Sequence, residues 1–314
     1  MNTSRPAGTP PDALSDAALA RSLDGGFTSR HADANGVRLH YVEGGAGEPL
    51  ILLGGWPQTW WQWNKVMPAL ARRYRVLAVD LRGMGGSGKP VGGYDKKTMA
   101  GDIHALAARL GLGRVHLAGH DIGAMVAWAH AANHPEATGK VVLLDVAHPD
   151  AGWSSFSLLP EPDQHAGTVI EEGDRSYLWW FAFNQVKGLP ERLLDGRVRL
   201  LVDWLFERQA VDPRSIDEHA REVYARAYGS ADAVRAGNAW YQAFTQDMED
   251  EWTYGPLTAP VLALGGDHSN YTYLRDVLPA KAADVQVVEV ADCGHYIPEE
   301  QPQAVTDRLT AFLG

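Results

Sequence analysis

A chain of 314 residues with 45% hydrophobic and 21% charged side chains suits two domains or one large domain with an insertion, and is too apolar to be disordered. Its 28 basic against 39 acidic side chains give a formal charge of −11, which argues against a nucleic-acid surface, and no run of about 18 apolar residues is present to span a membrane. A single cysteine, Cys293, excludes an intrachain disulfide; with no secretory-type apolar core between Met1 and Gly26, a cytoplasmic protein with a polar extension over residues 1–30 is expected.

From Val37 onward, short apolar runs alternate with helical stretches. Strands are predicted at Arg38–Glu43, Leu50–Leu53, Arg75–Asp80, Val115–Ala118, Lys140–Leu144, Val261–Leu264 and Val285–Val290. Runs that are apolar throughout are buried on both faces, the mark of a parallel sheet. Helices are predicted at Met99–Leu110, stopped by Gly111, and from Ile122 to His134, stopped by Pro135. The resulting class is α/β with right-handed crossovers. After Pro149 the strands cease, and amphipathic stretches such as Glu191–Gln209 and Ser215–Ala227 follow until strands resume at Pro260. Residues 31–150 and 251–314 therefore form the core, and residues 151–250 a helical cap over a pocket at the strand ends.

Between the strand Val115–Ala118 and the helix that follows stands Gly119-His120-Asp121-Ile122-Gly123. This is the form G-x-Nu-x-G, in which a strained strand-to-helix turn presents a nucleophile and the glycines permit close approach. The central residue is a carboxylate rather than a serine, so the chemistry it suits is displacement at carbon to form an alkyl ester. Water must then attack that ester's carbonyl, which requires a base near neutrality. Of 12 histidines, His295 fits best, following the last strand and a glycine; His31, His116 and His219 read as surface or packing residues, and His120 as packing beneath the turn. Either Asp145, ending the strand Lys140–Leu144, or Asp267, following Val261–Leu264, could orient it.

The chain resembles the α/β-hydrolase superfamily, in the branch of epoxide hydrolases and haloacid or haloalkane dehalogenases. The resemblance runs from Val37 to Leu313. It rests on the nucleophile turn, on Gly54-Gly55-Trp56-Pro57-Gln58-Thr59-Trp60-Trp61 (similar to an H-G-x-P loop), on Asp80-Leu81-Arg82-Gly83-Met84-Gly85-Gly86-Ser87, and on Gly294-His295-Tyr296-Ile297-Pro298-Glu299-Glu300. It implies a mostly parallel eight-stranded sheet flanked by helices, the cap inserted after the sixth strand, no cofactor and no metal. Leu143-Leu144-Asp145-Val146-Ala147-His148-Pro149 resembles the pattern of dehalogenase-like epoxide hydrolases, which favours Asp145 over Asp267. The backbone N–H groups of Ile122 and Trp56 are the implied oxyanion donors. Gly54 departs from the usual histidine.

Tyr177–Phe183 and Asn238–Phe244 match the cap positions where such enzymes polarise substrate. Trp180, with Trp179, would pair with Tyr241; an indole only donates, so Tyr241 is the expected proton source. Fluoroacetate-type dehalogenases carry arginines one and four residues after the nucleophile, where Ile122 and Met125 stand, and haloalkane dehalogenases usually have Trp after the nucleophile and Asn after the H-G pair, where Ile122 and Trp56 stand. The resemblance therefore implies hydrolysis of an apolar epoxide by water. Eleven tryptophans suggest an aromatic one. A dehalogenase, a non-catalytic binding protein of the same fold and, more weakly, a serine esterase are the alternatives; a homodimer is left open.

Overall fold

The computed structural model describes residues 11–156 and 178–314. Eight strands form one sheet: β1 (Thr28–Ala34), β2 (Val37–Gly44), β3 (Glu48–Leu53), β4 (Tyr74–Val79), β5 (Val115–His120), β6 (Thr138–Leu144), β7 (Val261–Gly266) and β8 (Val285–Val290). Their spatial order is β1-β2-β4-β3-β5-β6-β7-β8. The pairs β1–β2 and β2–β4 are antiparallel, and the rest are parallel. Leu50–Leu53, Val76–Val79 and Val141–Leu144 are wholly buried, as all-apolar central strands require.

The core helices are α1 (Asp16–Ser22), α2 (Met67–Leu70), α3 (Lys96–Arg109) and α4 (Ile122–Asn133), joined after the insertion by α11 (Tyr271–Val277), α12 (Ile297–Glu300) and α13 (Pro302–Leu313). Asp95 caps α3 by accepting from the Thr98 N–H, placing its start three residues before the predicted one. Between β6 and β7 the described chain is helical: α5 (Trp179–Gln185), α6 (Leu189–Leu194), α7 (Val198–Gln209), α8 (Glu218–Ala227), α9 (Ala231–Gln242) and α10 (Phe244–Glu251). The predicted stretch Glu191–Gln209 is two helices, parted at Gly196 with φ 65°. Residues 157–177 of the predicted cap, including Tyr177, and residues 1–10 lie outside the described residues.

The expected N-terminal extension is in part structural. Thr28–Arg30 already pair with β2, and the Trp60 indole N–H donates to Asp16 Oδ1 of α1 at 2.8 Å. β1 escapes a search for apolar runs because it is an edge strand, Thr-Ser-Arg-His-Ala-Asp-Ala, with only Ala32 and Ala34 buried. Where the chain leaves and re-enters the sheet region, one cation holds both crossings: Lys281 Nζ lies 2.6 Å from Asp150 Oδ2 and 2.9 Å from Glu251 Oε1.

Candidate active site

Asp121 sits at the turn from β5 to α4 with φ 53° and ψ −122°, a backbone conformation unfavourable for a residue with a side chain. The neighbouring glycines allow it. A Cβ on Gly119 would overlap the Gly123 carbonyl, one on Gly123 the Leu53 carbonyl, and one on Gly55 the Asp121 side chain itself. The turn therefore packs backbone against backbone, and the carboxylate projects over the β3 loop. There Trp56 N–H donates to Asp121 Oδ1 at 2.8 Å, and the Ile122 N–H also serves the carboxylate. Burial pushes the Asp121 carboxyl above the usual range, against the opposing pull of His295 and of those two N–H groups.

His295 lies across from it, Nε2 at 3.7 Å from Asp121 Oδ2. On its other side Nδ1 is 2.7 Å from Asp145 Oδ2. Asp145 is fixed at the end of β6 with φ 64°, and also accepts from Gly266 N–H, Ser269 Oγ and both the N–H and the Nδ2 of Asn270. Asp267 is differently engaged: its oxygens accept from the backbone N–H groups of Asp292 and Cys293, each at 3.0 Å, so it shapes the loop that carries His295. Burial alone would lower the His295 pKa, but the hydrogen bond and charge of Asp145, followed by the charge of Asp121, hold it above the ordinary value.

From the insertion, Tyr241 reaches the same place. Its ring meets Trp56 edge-on at 5.4 Å, Phe181 at 5.3 Å and Phe244 at 5.1 Å. Burial, and then the Asp121 charge, push its phenol well above the usual value, with hydrogen bonding to Trp180 acting the other way. Trp180 is thus beside Tyr241, as the sequence led us to expect, but Trp179 is not. Successive helical residues point about 100° apart, and Trp179 packs on Phe183 and Trp204 at 5.6 and 5.2 Å. Those contacts are helix packing within the insertion.

Several residues that act on this arrangement carry no sequence signal. Gln62 accepts the Gly55 N–H at 3.1 Å and lies against Gly54, bracing the loop at the position of the missing histidine. His120 is more than packing: its Nε2 lies 2.7 Å from the His295 carbonyl. Glu300 accepts from the N–H groups of Gly294 and Tyr296 on either side of His295. Lys96, fully buried at the start of α3, donates to the Trp240 carbonyl at 2.8 Å and to Asp247 Oδ2 at 2.7 Å, fixing the end of α9 that carries Tyr241. Only their tertiary neighbours reveal them.

A second polar group lies under the β3 loop. Ring nitrogen and carboxylate oxygens of Asp16, His40 and Asp80 fall within 4.8 Å of one another, as metal ligands could. Here His40 Nδ1 pairs with Asp80 Oδ2 at 2.7 Å, and Asp80 Oδ1 accepts the Trp60 N–H at 2.9 Å, so the group braces the loop to the sheet.

Residues 48–302 match the model of the α/β-hydrolase fold family. The chain is 33% identical to a soluble epoxide hydrolase of Corynebacterium sp. (strain C12), over 91% of this chain and 97% of that protein. It is 29% identical to a fluoroacetate dehalogenase of Burkholderia sp., over 92% and 94% respectively. The crystal structure of Cfl2 from Burkholderia cenocepacia superposes with a TM-score of 0.81 at 38% identity, covering 92% of this chain and 96% of that one.

Proposed function

Because the chain belongs to the α/β-hydrolase fold family, in its epoxide hydrolase branch, we propose that it opens an apolar epoxide to a vicinal diol through a covalent ester of Asp121. The observation that carries this reading is the convergence on one carboxylate of an N–H donor on Oδ1, an imidazole facing Oδ2, and a buried phenol. Asp121 Oδ2 attacks an oxirane carbon; the C–O bond breaks, and the alkoxide takes the Tyr241 proton while Trp180 donates a hydrogen bond. In the second step His295, held by Asp145, removes a proton from water as it adds to the ester carbonyl carbon. The oxyanion forms at Oδ1, where Trp56 and Ile122 N–H groups stabilise it. Collapse expels the diol and restores Asp121, and the His295 proton passes back to the Tyr241 phenolate by way of solvent.

The two steps are linked electrostatically. The charge of Asp121 helps raise the His295 pKa. Alkylation abolishes that charge, so His295 becomes the more readily deprotonated when a base is needed. The aromatic surround of Tyr241 supports an aryl-bearing substrate. We take the cap to be residues 151–250 and the core to be residues 31–150 and 251–314.

The test is a single turnover of styrene oxide in heavy-oxygen water. Label is expected in the Asp121 carboxylate, and His295→Gln is expected to accumulate the ester, seen as added mass on intact protein. Diol formed without label in that side chain refutes the mechanism. Dehalogenation is the second reading, favoured by the likeness to the fluoroacetate enzyme. Ile122 and Met125, both buried and apolar, offer nothing to a substrate carboxylate, and halide release from a panel of organohalides decides the matter.

A further inference from the structure

The insertion and the β3 loop line a small cavity that shares Trp56 with the site of the nucleophile. Its wall is formed by Trp56 and Pro57, by five aliphatic side chains between Leu194 and Val234, by Tyr228, and by Asn238. Within this apolar lining Asn238 is 1% exposed, and its Nδ2 has no hydrogen-bond partner among the described residues. The Tyr228 hydroxyl is already committed, donating to the Gln58 carbonyl at 2.9 Å. A second donor adjoins: the Trp56 indole Nε1 lies 3.1 Å from where a Cβ on Gly237 would stand. Absence of a side chain at Gly237 is what lets α9 come this close to the indole.

Buried N–H groups left unpaired are destabilising, and native structures keep few of them. Asn238 is one helical turn before Tyr241 on α9, so the two share a face. Trp56 joins the two places, its backbone N–H on Asp121 and its ring against Tyr241. In this closed arrangement the space is about 10 Å³, room for about one water molecule.

The geometry points to this cavity as a specificity subsite, taking a short aliphatic arm of the epoxide that carries an acceptor oxygen (an ether or carbonyl) for Asn238 Nδ2, with Trp56 Nε1 as the neighbouring donor. The arm's oxygen takes the place of a water, and since the space of about 10 Å³ holds only that atom, the aliphatic wall must part to admit the neighbouring carbons. This inference rests on the epoxide reading above and adds the substrate's second recognition element. A purely hydrocarbon arm leaves the Asn238 N–H unpaired, and a site with a buried donor discriminates against such a ligand.

The test compares β-propylstyrene oxide with the ether in which oxygen replaces the middle carbon of the propyl chain, and with unsubstituted styrene oxide. Wild-type protein is expected to prefer the ether over the hydrocarbon by about tenfold in kcat/KM. Asn238→Leu is expected to bring that ratio to one or below, and Asn238→Ala provides a second variant; thermal melting identifies a variant that is folded. A wild-type ratio of one, or a preference that survives both substitutions, overturns the subsite. If styrene oxide alone is hydrolysed, the subsite falls and the epoxide reading stands. If none of the three gives diol, both fall.

Discussion

The sheet end and the helical insertion contribute to the site in opposite ways. On the sheet side the reacting groups are held by many polar partners: the Asp145 carboxylate accepts from four residues, Asp267 and Glu300 hold the loop of His295, and Gln62 holds the loop of Trp56, although Gln58, Gln62 and His120 keep unpartnered side-chain atoms there. On the insertion side the packing is aromatic and aliphatic, and buried amides at Asn184 and Asn238 have unpartnered nitrogens. A closed hydrogen-bond account fixes geometry; an open one leaves directional groups for a ligand. On the proposed mechanism the sheet supplies the nucleophile, the base and the oxyanion donors, and the helices laid over it supply the proton donor and much of the surface that faces substrate.

The contrast can be broken most severely on the sheet side. Asp145→Ala is expected to lower turnover about 10⁴-fold, with the ester of Asp121 accumulating in rapid-quench mass spectra, because the second step loses its oriented base. A normal rate of ester breakdown would show that Asp145 only supports the loop. Next in size is the Lys96–Asp247 pair, where insertion meets sheet. Lys96→Met is expected to cost about 3–5 kcal/mol of stability by denaturant titration, because it strands the fully buried Asp247. Adding Asp247→Leu is expected to recover most of the loss, and no recovery would mean that the methionine simply does not fit.

Tyr241→Phe addresses the insertion's chemical contribution and is expected to slow epoxide opening by about 10²-fold or more, while a substrate that leaves as halide is unaffected. Equal losses for both would reassign Tyr241 to packing. The smallest effect lies away from the site. Burial, and then the charges of His134 and His104, lower the His130 pKa from 6.5 to about 3. Its stabilising contribution is therefore present above pH 6.5 and lost as pH falls toward 3, since only the unfolded chain binds the proton there. At pH 5 the loss is about 2 kcal/mol. His130→Phe is expected to flatten this acid slope in chemical denaturation, and an unchanged slope would place the acid sensitivity elsewhere.

Much of the sheet side was legible in the chain because its signals are local. Apolar runs mark β2 to β8, and the glycines flanking Asp121 mark the turn. His295 and Asp145 each follow a strand, and 2.7 Å separates them in the fold. β1 was not legible, since a polar edge strand lacks the run. Which of the adjacent Trp179 and Trp180 stands beside Tyr241 was not legible, because neighbouring helical residues point different ways and only the fold shows that it is Trp180. Gln62, Lys96 and Asn238 carry no local mark at all: each is an ordinary polar residue until the partner, or its absence, is known.

The double grip of Lys281 has a practical corollary. The chain departs at Asp150 and returns at Glu251, and a single ammonium clamps both residues, so the two cut points are neighbours in space. Exchanging the intervening stretch for the corresponding one of a relative would leave every strand in register and keep Asp121, Asp145 and His295 in place, while Trp180 and Tyr241 would be replaced along with it.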